Sequence, residues 1–227
     1  MTGEQIVLAA GLWLDASAWT GVVSEVEKRD RRAVPVTLPG QGDGNTSATL
    51  DDQVAAVLAV VDAAPGKSIV VGHSAASGLA WLVADARPDR VAKVVLIGGF
   101  PAAGGGEYAN FFPIVDGVMP FPGWEPFEGA DAADLDEPAR RAFAAAAIAV
   151  PEGVAKAVVR LTDERRYDVP MVLICPEFTP EQVREWLAEG ELPELAKAKH
   201  LELVDIDSGH WPMLTRPVEL AGLLAAL

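Results

Sequence analysis

Six short apolar runs constrain this chain more than any other feature: residues 6–12, 32–38, 68–73, 91–97, 169–175 and 201–206, rich in β-branched side chains and bounded by Gly or Pro. Amphipathic stretches at 15–28, 49–63, 75–86 and 181–188 separate them, and a further one, 216–227, closes the chain. Apolar runs alternating with helical sequence are the pattern of parallel strands buried on both faces and joined by crossover helices. Pro35 has no N–H to give to a ladder, so the second strand belongs at a sheet edge. The expected fold class is therefore α/β, a mostly parallel six-stranded sheet in the order 2-1-3-4-5-6 with helices on both faces. In that order the topological switch point falls between strands 1 and 3, where the loops after Leu12 and His73 face each other. Capping chemistry marks three helix starts: Thr49 with Asp52, Thr179 before Pro180, and Thr215 before the last helix.

One region breaks the alternation. Residues 100–168 are too long for an ordinary crossover and carry Gly104-Gly105-Gly106, several prolines, scattered aromatics and an acidic stretch over 125–137. They are expected to form a small helical cap, with the alanine tract 144–147 continuing a cap helix, while residues 1–99 and 169–227 form the core. A length of 227 residues suits one domain with such an insertion.

Composition narrows the function classes. Half the residues are hydrophobic and 22% are charged, which suits a globular chain and not a disordered one. The net charge of −15 repels nucleic acid and anionic lipid, and no Lys/Arg run opposes it, so neither is expected as a partner. No apolar stretch approaches the roughly 20 residues of a membrane span, and the first residues lack the basic region of a signal peptide. The single cysteine, Cys175, lies within an apolar run, which fits a reducing, cytoplasmic setting. Gly40-Gln41-Gly42-Asp43-Gly44-Asn45 begins like a dinucleotide fingerprint but places Asn45 where the third glycine belongs. Three dispersed histidines and one cysteine give no metal-ligand spacing, so no metal and no other cofactor is expected. Oligomeric state is not indicated.

The chemistry starts at Val70-Val71-Gly72-His73-Ser74-Ala75-Ala76, a strand that delivers a serine at a tight turn into a helix. Small neighbours let such a turn expose the hydroxyl above the sheet, although Ala76 stands where a second glycine is usual. A serine hydroxyl needs a base within hydrogen-bond reach, and there are three histidines to supply it. His73 adjoins the serine and points away from its hydroxyl, while His200 opens the last strand at the opposite end of the sheet. His210, in Ser208-Gly209-His210-Trp211-Pro212 beyond the last strand, remains as the base.

Gly72-His73-Ser74, the late Ser208-Gly209-His210-Trp211-Pro212 before a terminal helix, and the early Gly11 turn together resemble the α/β-hydrolase superfamily over the whole chain. In detail the chain looks like its compact, small-cap branch, which contains small esterases and hydroxynitrile lyases. The resemblance implies an acid after the fifth strand, where Glu177 stands, with Asp207 as the competing candidate. It also implies an oxyanion hole from the backbone N–H groups of Leu12 and Ala75.

Trp13, Phe111, Met119, Phe121, Trp124 and Trp211 are candidate substrate-binding residues and favour a small apolar substrate. The expected activity is that of a cofactor-free serine hydrolase acting on a carboxylic ester, lactone or thioester through an acyl-enzyme. Two alternatives stand beside it. One is a slow or non-catalytic small-ligand binder on the same fold. The other is a hydroxynitrile-lyase-like activity, disfavoured because such relatives carry a Lys beside the late His, where this chain has Trp211.

Overall fold

A computed structural model describes residues 4–227. Six strands form one sheet: β1 (Gln5–Ala9), β2 (Ala33–Pro35), β3 (Ser68–His73), β4 (Val91–Ile97), β5 (Met171–Cys175) and β6 (Leu201–Asp205). Their order is 2-1-3-4-5-6 and every neighbouring pair is parallel. Pro35 lies in edge strand β2 opposite Leu8, and beyond it Val36 N–H donates to the Leu8 carbonyl. The other edge, β6, mixes apolar and charged residues and has none fully buried, whereas every residue of β1, β3 and β5 is buried.

The two-residue alternation of the strands divides the core between the two sheet faces. Val7, Val70, Leu96 and Leu173 point to one face, where they join the core residues of α2 (Leu50–Ala63) and α3 (Ala76–Ala86). Ile6, Ile69, Ile97 and Ile174 point to the other, with α1 (Thr20–Glu27) and the C-terminal helix.

Strand and helix ends depart from the sequence reading where local geometry intervenes. The first run leaves the sheet after Ala9, because residues 12–13 form a turn in which Trp13 adopts φ +64°. The stretch 15–28 divides into a 3-10 turn (Ala16–Trp19), whose start is capped by the Asp15 carboxylate, and α1. Thr49 and Thr179 both close reciprocal capping boxes. Thr215 does not cap the last helix: it ends a separate short helix, α7 (Pro212–Thr215), and Arg216 stands at the start of α8 (Pro217–Ala225). Proline at the first position of each suits a helix start, where no N–H is required.

Between β4 and β5 the chain forms a two-residue antiparallel ribbon (Val118–Met119 with Val150–Pro151), then α4 (Glu137–Ala146) and α5 (Glu152–Ala155). The 3-10 turn Glu164–Asp168 ends this connection and is anchored to the core by buried charge. Arg166 reaches Asp85 at the end of α3 (3.1 Å) and Glu194 before β6 (3.2 Å). Helix α6 (Pro180–Glu189) follows β5. Among the described residues, no helix is long and apolar enough to cross a membrane.

Candidate active site

Ser74 follows β3 directly and holds φ +54°, a left-handed conformation that costs a non-glycine residue about 1–3 kcal/mol and persists only where its surroundings impose it. Ser74 N–H donates to the Ile97 carbonyl (2.8 Å), and Ser77 N–H donates to the Ser74 carbonyl (2.9 Å). Two glycines make room for the turn. A Cβ on Gly72 would lie 2.0 Å from the Ala76 carbonyl oxygen, and one on Gly99 would lie 2.3 Å from that of Ser74. The closest approaches therefore fall at Gly72 and Gly99, and the methyl of Ala76 is accommodated in the core.

His210 sits on the loop after β6, and its Nδ1 is 2.6 Å from Oε1 of Glu177, on the loop after β5. Both side chains are nearly buried, at 12% and 13% exposure. An ionised carboxylate can only accept, so this contact puts the imidazole proton on Nδ1 and leaves Nε2 a free acceptor. Gly98, at φ +57°, passes so close that a Cβ there would lie 3.1 Å from both His210 Nδ1 and Glu177 Oε2. Asp207, the competing acid, is exposed and meets Arg216 through its backbone carbonyl. Among the described residues, no hydrogen bond joins the Ser74 hydroxyl to His210.

The backbone of His210 is held on both sides. Its N–H donates to the Asp131 carbonyl (2.7 Å), and its own carbonyl accepts from Nε2 of His73 (2.7 Å). A carbonyl cannot donate, so His73 carries its proton on Nε2. Burial, and then the charge of neighbouring His210, pushes the His73 imidazole well below its ordinary titration range and keeps it neutral. Elimination set His73 aside as a base; it did not reveal this grip on the His210 backbone, which depends on a contact 137 residues away in the chain. His200 is exposed, and its carbonyl accepts from Met171 N–H at the start of β5.

The loop after β1 lies against the serine turn. A Cβ on Gly11 would stand 2.9 Å from Ser74 Cβ and 2.8 Å from His73 Nδ1. The N–H groups of Leu12 and Ala75 have no hydrogen-bond partner among the described residues. Trp13 fastens the loop to the β4–β5 connection: its carbonyl accepts from Ile148 N–H (3.0 Å) and its indole N–H donates to the Met119 carbonyl (3.3 Å).

A cavity of about 400 Å³ opens beside Ser74, lined by Ala75, Phe100, Glu107, Tyr108 and Phe111 among others. Of the six residues expected to contact substrate, Phe111 lines this cavity and is 63% exposed. The other five are elsewhere. Met119 is fully buried, and Trp13, Phe121, Trp124 and Trp211 pack with Phe127 and Phe143 in a cluster of largely edge-to-face contacts. Aromatic rings gain from such packing, which is why pattern alone does not separate pocket wall from core. Glu107 and Tyr108 were not anticipated at the pocket, since neither an apolar run nor a motif marks them. A larger cavity, about 590 Å³, lies beyond Trp13 between Leu14, Phe143 and Arg216 and contains neither Ser74 nor His210.

Comparison with known proteins agrees with this architecture. The chain is similar to an extracellular alpha/beta-hydrolase from a Paenibacillus species, described as sharing homology with tobacco Salicylic Acid Binding Protein 2 (18% identity, TM-score 0.79, 99% of this chain and 98% of that one). It is similar to a methylesterase from Arabidopsis (17%, TM-score 0.75, 99% and 98%) and to a pyrethroid hydrolase from Sphingobium faniae (20%, TM-score 0.70, 98% and 96%). At these identities the likeness is one of fold. The model of the alpha/beta hydrolase family matches residues 6–223, nearly the whole chain, and with the sheet order and the strained serine turn already described, this protein belongs to the alpha/beta hydrolase family.

Proposed function

We propose that the protein is a serine hydrolase that cleaves small, apolar carboxylic esters through an acyl-enzyme. The observation that carries this reading is the pairing, at one end of the sheet, of a serine held at φ +54° with an imidazole whose Nδ1 is engaged by a carboxylate at 2.6 Å. Ser74 Oγ attacks the ester carbonyl while His210 Nε2 takes its proton, and Glu177 stabilises the imidazolium that results. The N–H groups of Leu12 and Ala75 receive the developing oxyanion. Collapse of the tetrahedral intermediate expels the alcohol, which takes the proton from His210. A water molecule, deprotonated by the same imidazole, then releases the acid and restores Ser74.

The cavity beside Ser74 suits a compact substrate, since Phe100, Phe111 and several small residues line it and the chain supplies no Lys or Arg among them. The names of two similar structures, a methylesterase and a pyrethroid hydrolase, support hydrolysis as the activity class. The absence of a hydrogen bond between Ser74 and His210 favours one second reading, a ligand binder with an idle serine. Intact-mass spectrometry after exposure to a fluorophosphonate separates the two. A single adduct on the wild-type chain, lost in Ser74→Ala, is the expected result, whereas folded wild-type protein that takes up no adduct would reject the hydrolase reading.

A further inference from the structure

The glycine-rich stretch 40–44, which binds no dinucleotide by its pattern, places one side chain against the loop after β1. Gly40 and Gly42 hold left-handed backbone (φ +82° and +101°) on either side of Gln41. A Cβ on Gly40 would lie 2.6 Å from Pro151. The Asp43 carboxylate accepts from Gly40 N–H and Asn45 N–H, both at 2.9 Å, and Gln41 N–H donates to the Leu38 carbonyl. Because β2 lies beside β1 in the sheet, this loop stands next to the turn at Gly11. Gln41 is 3% exposed, and its Nε2 donates to the Gly11 carbonyl at 2.8 Å. The partner is a pure acceptor, so the amide nitrogen must face it, and Oε1 is left buried without a partner.

We infer that Gln41 is a positioning residue for the oxyanion hole, acting on the Gly11–Leu12 peptide. The Gly11 carbonyl and the Leu12 N–H are opposite ends of one planar, conjugated unit. A hydrogen bond to the oxygen fixes the plane of that unit, which determines where the Leu12 N–H points. It also polarises the N–H, strengthening the bond it makes at the other end. The need is local: Trp13, one residue on, holds φ +64° in a strained turn, and a flip of the Gly11–Leu12 peptide would put a carbonyl where the donor stands. Ile148 secures the turn from the Trp13 side and Gln41 from the Gly11 side. A buried amide oxygen without a partner is an unfavourable feature, and the anchored peptide gives a reason for keeping it.

This inference rests on the acyl-transfer reading of Ser74, and the test separates the two. Gln41→Met keeps the length of the side chain and removes its donor; Gln41→Glu keeps the shape and donates only when protonated. The second-order rate of Ser74 phosphonylation by a fluorophosphonate, and kcat and KM for 4-nitrophenyl acetate, are measured for each variant and the wild type. Complete loss of one oxyanion donor costs about 100- to 1,000-fold in kcat, so a misaligned donor is expected to cost about 10-fold, in both phosphonylation rate and kcat, with KM within about twofold. The ratio of Gln41→Glu to Gln41→Met activity is expected to rise as pH falls and the carboxyl regains its proton. A wild-type chain that takes no label rejects the acyl-transfer reading and this one with it. A labelled wild type with Gln41→Met and Gln41→Glu both reacting as fast as the wild type, or with KM alone changed, rejects the role of Gln41 while leaving Ser74 its own.

Discussion

Replacing Arg166 by methionine tests how the β4–β5 connection is fastened to the core. The guanidinium, Asp85 and Glu194 are 7%, 6% and 7% exposed, and Arg166 is the cation facing both acids. Removing one member of a buried ion pair typically costs about 3–5 kcal/mol, because the partner charge stays buried. Here each acid retains other donors. Asp85 accepts from Thr162 N–H and Oγ1 and from Asp163 N–H, and Glu194 accepts from Trp81 Nε1, Tyr167 OH and Lys197 Nζ. The lower end of the range, about 3 kcal/mol, is therefore expected for Arg166→Met. At roughly 2–4 °C per kcal/mol for a chain of this size, the melting temperature should fall by about 6–12 °C. Burial raises the Glu194 carboxyl, but bonds from Trp81, Lys197 and Tyr167 and the charge of Arg166 outweigh it and leave the group below its ordinary 4.5. Its contribution is thus complete above that value and is lost as pH falls through the lowered one. Urea and thermal denaturation at pH 7 read the effect, and the triple variant Arg166→Met, Asp85→Asn, Glu194→Gln completes the comparison. With no buried charge left unpaired, Lys197 being more than half exposed, the triple variant should recover at least half the loss. A loss under about 1 kcal/mol in the single variant, or a triple variant no more stable than the single, would refute the argument.

Two further predictions address the site. Glu177→Gln should lower kcat for ester hydrolysis by about 100- to 10,000-fold, as expected when the imidazole loses its orienting carboxylate, while Asp207→Asn should stay within about twofold; the reverse ranking in steady-state kinetics would make Asp207 the acid. Between the ordinary imidazole value of 6.5 and the lowered value of folded His73, the unfolded chain binds one proton more, so stability should fall as pH drops below about 6.5, by at most about 1.4 kcal/mol per unit from this group. His73→Phe should flatten that part of the curve of urea midpoint against pH, and an unchanged slope would contradict the assignment of a neutral His73.

Much of this arrangement is legible in the chain because it depends on local rules. Buried parallel strands need continuous apolar runs, and Pro35 keeps the second strand to a sheet edge, as the expected order 2-1-3-4-5-6 requires and the sheet has it. The serine turn is marked by Gly72, whose missing side chain is where α3 crosses the strand. His73 and Gln41 were less legible, since each acts on a backbone carbonyl far away in the chain, His73 on that of His210 and Gln41 on that of Gly11, and such contacts leave no periodicity. The aromatic residues of the β4–β5 connection were legible as apolar and no further. Whether a ring faces a cavity or another ring is decided by packing, and here most of them chose each other.

The Arg166 cluster also sets an order of events in time. Asp85 closes the helix that follows the serine, and its guanidinium partner lies 81 residues downstream. At synthesis rates of about 5 to 20 residues per second, that distance is a wait of roughly 4 to 16 s during which the carboxylate has no cation to meet. Trp81, on the same helix, waits longer, for Glu194, 113 residues on. The first half of the sheet can pair as it emerges, but the helix behind the serine can seat its polar end only after the β4–β5 connection has been made and has returned. A nascent chain halted before Arg166 would carry the serine turn without this anchor, and without Glu177 and His210 as well.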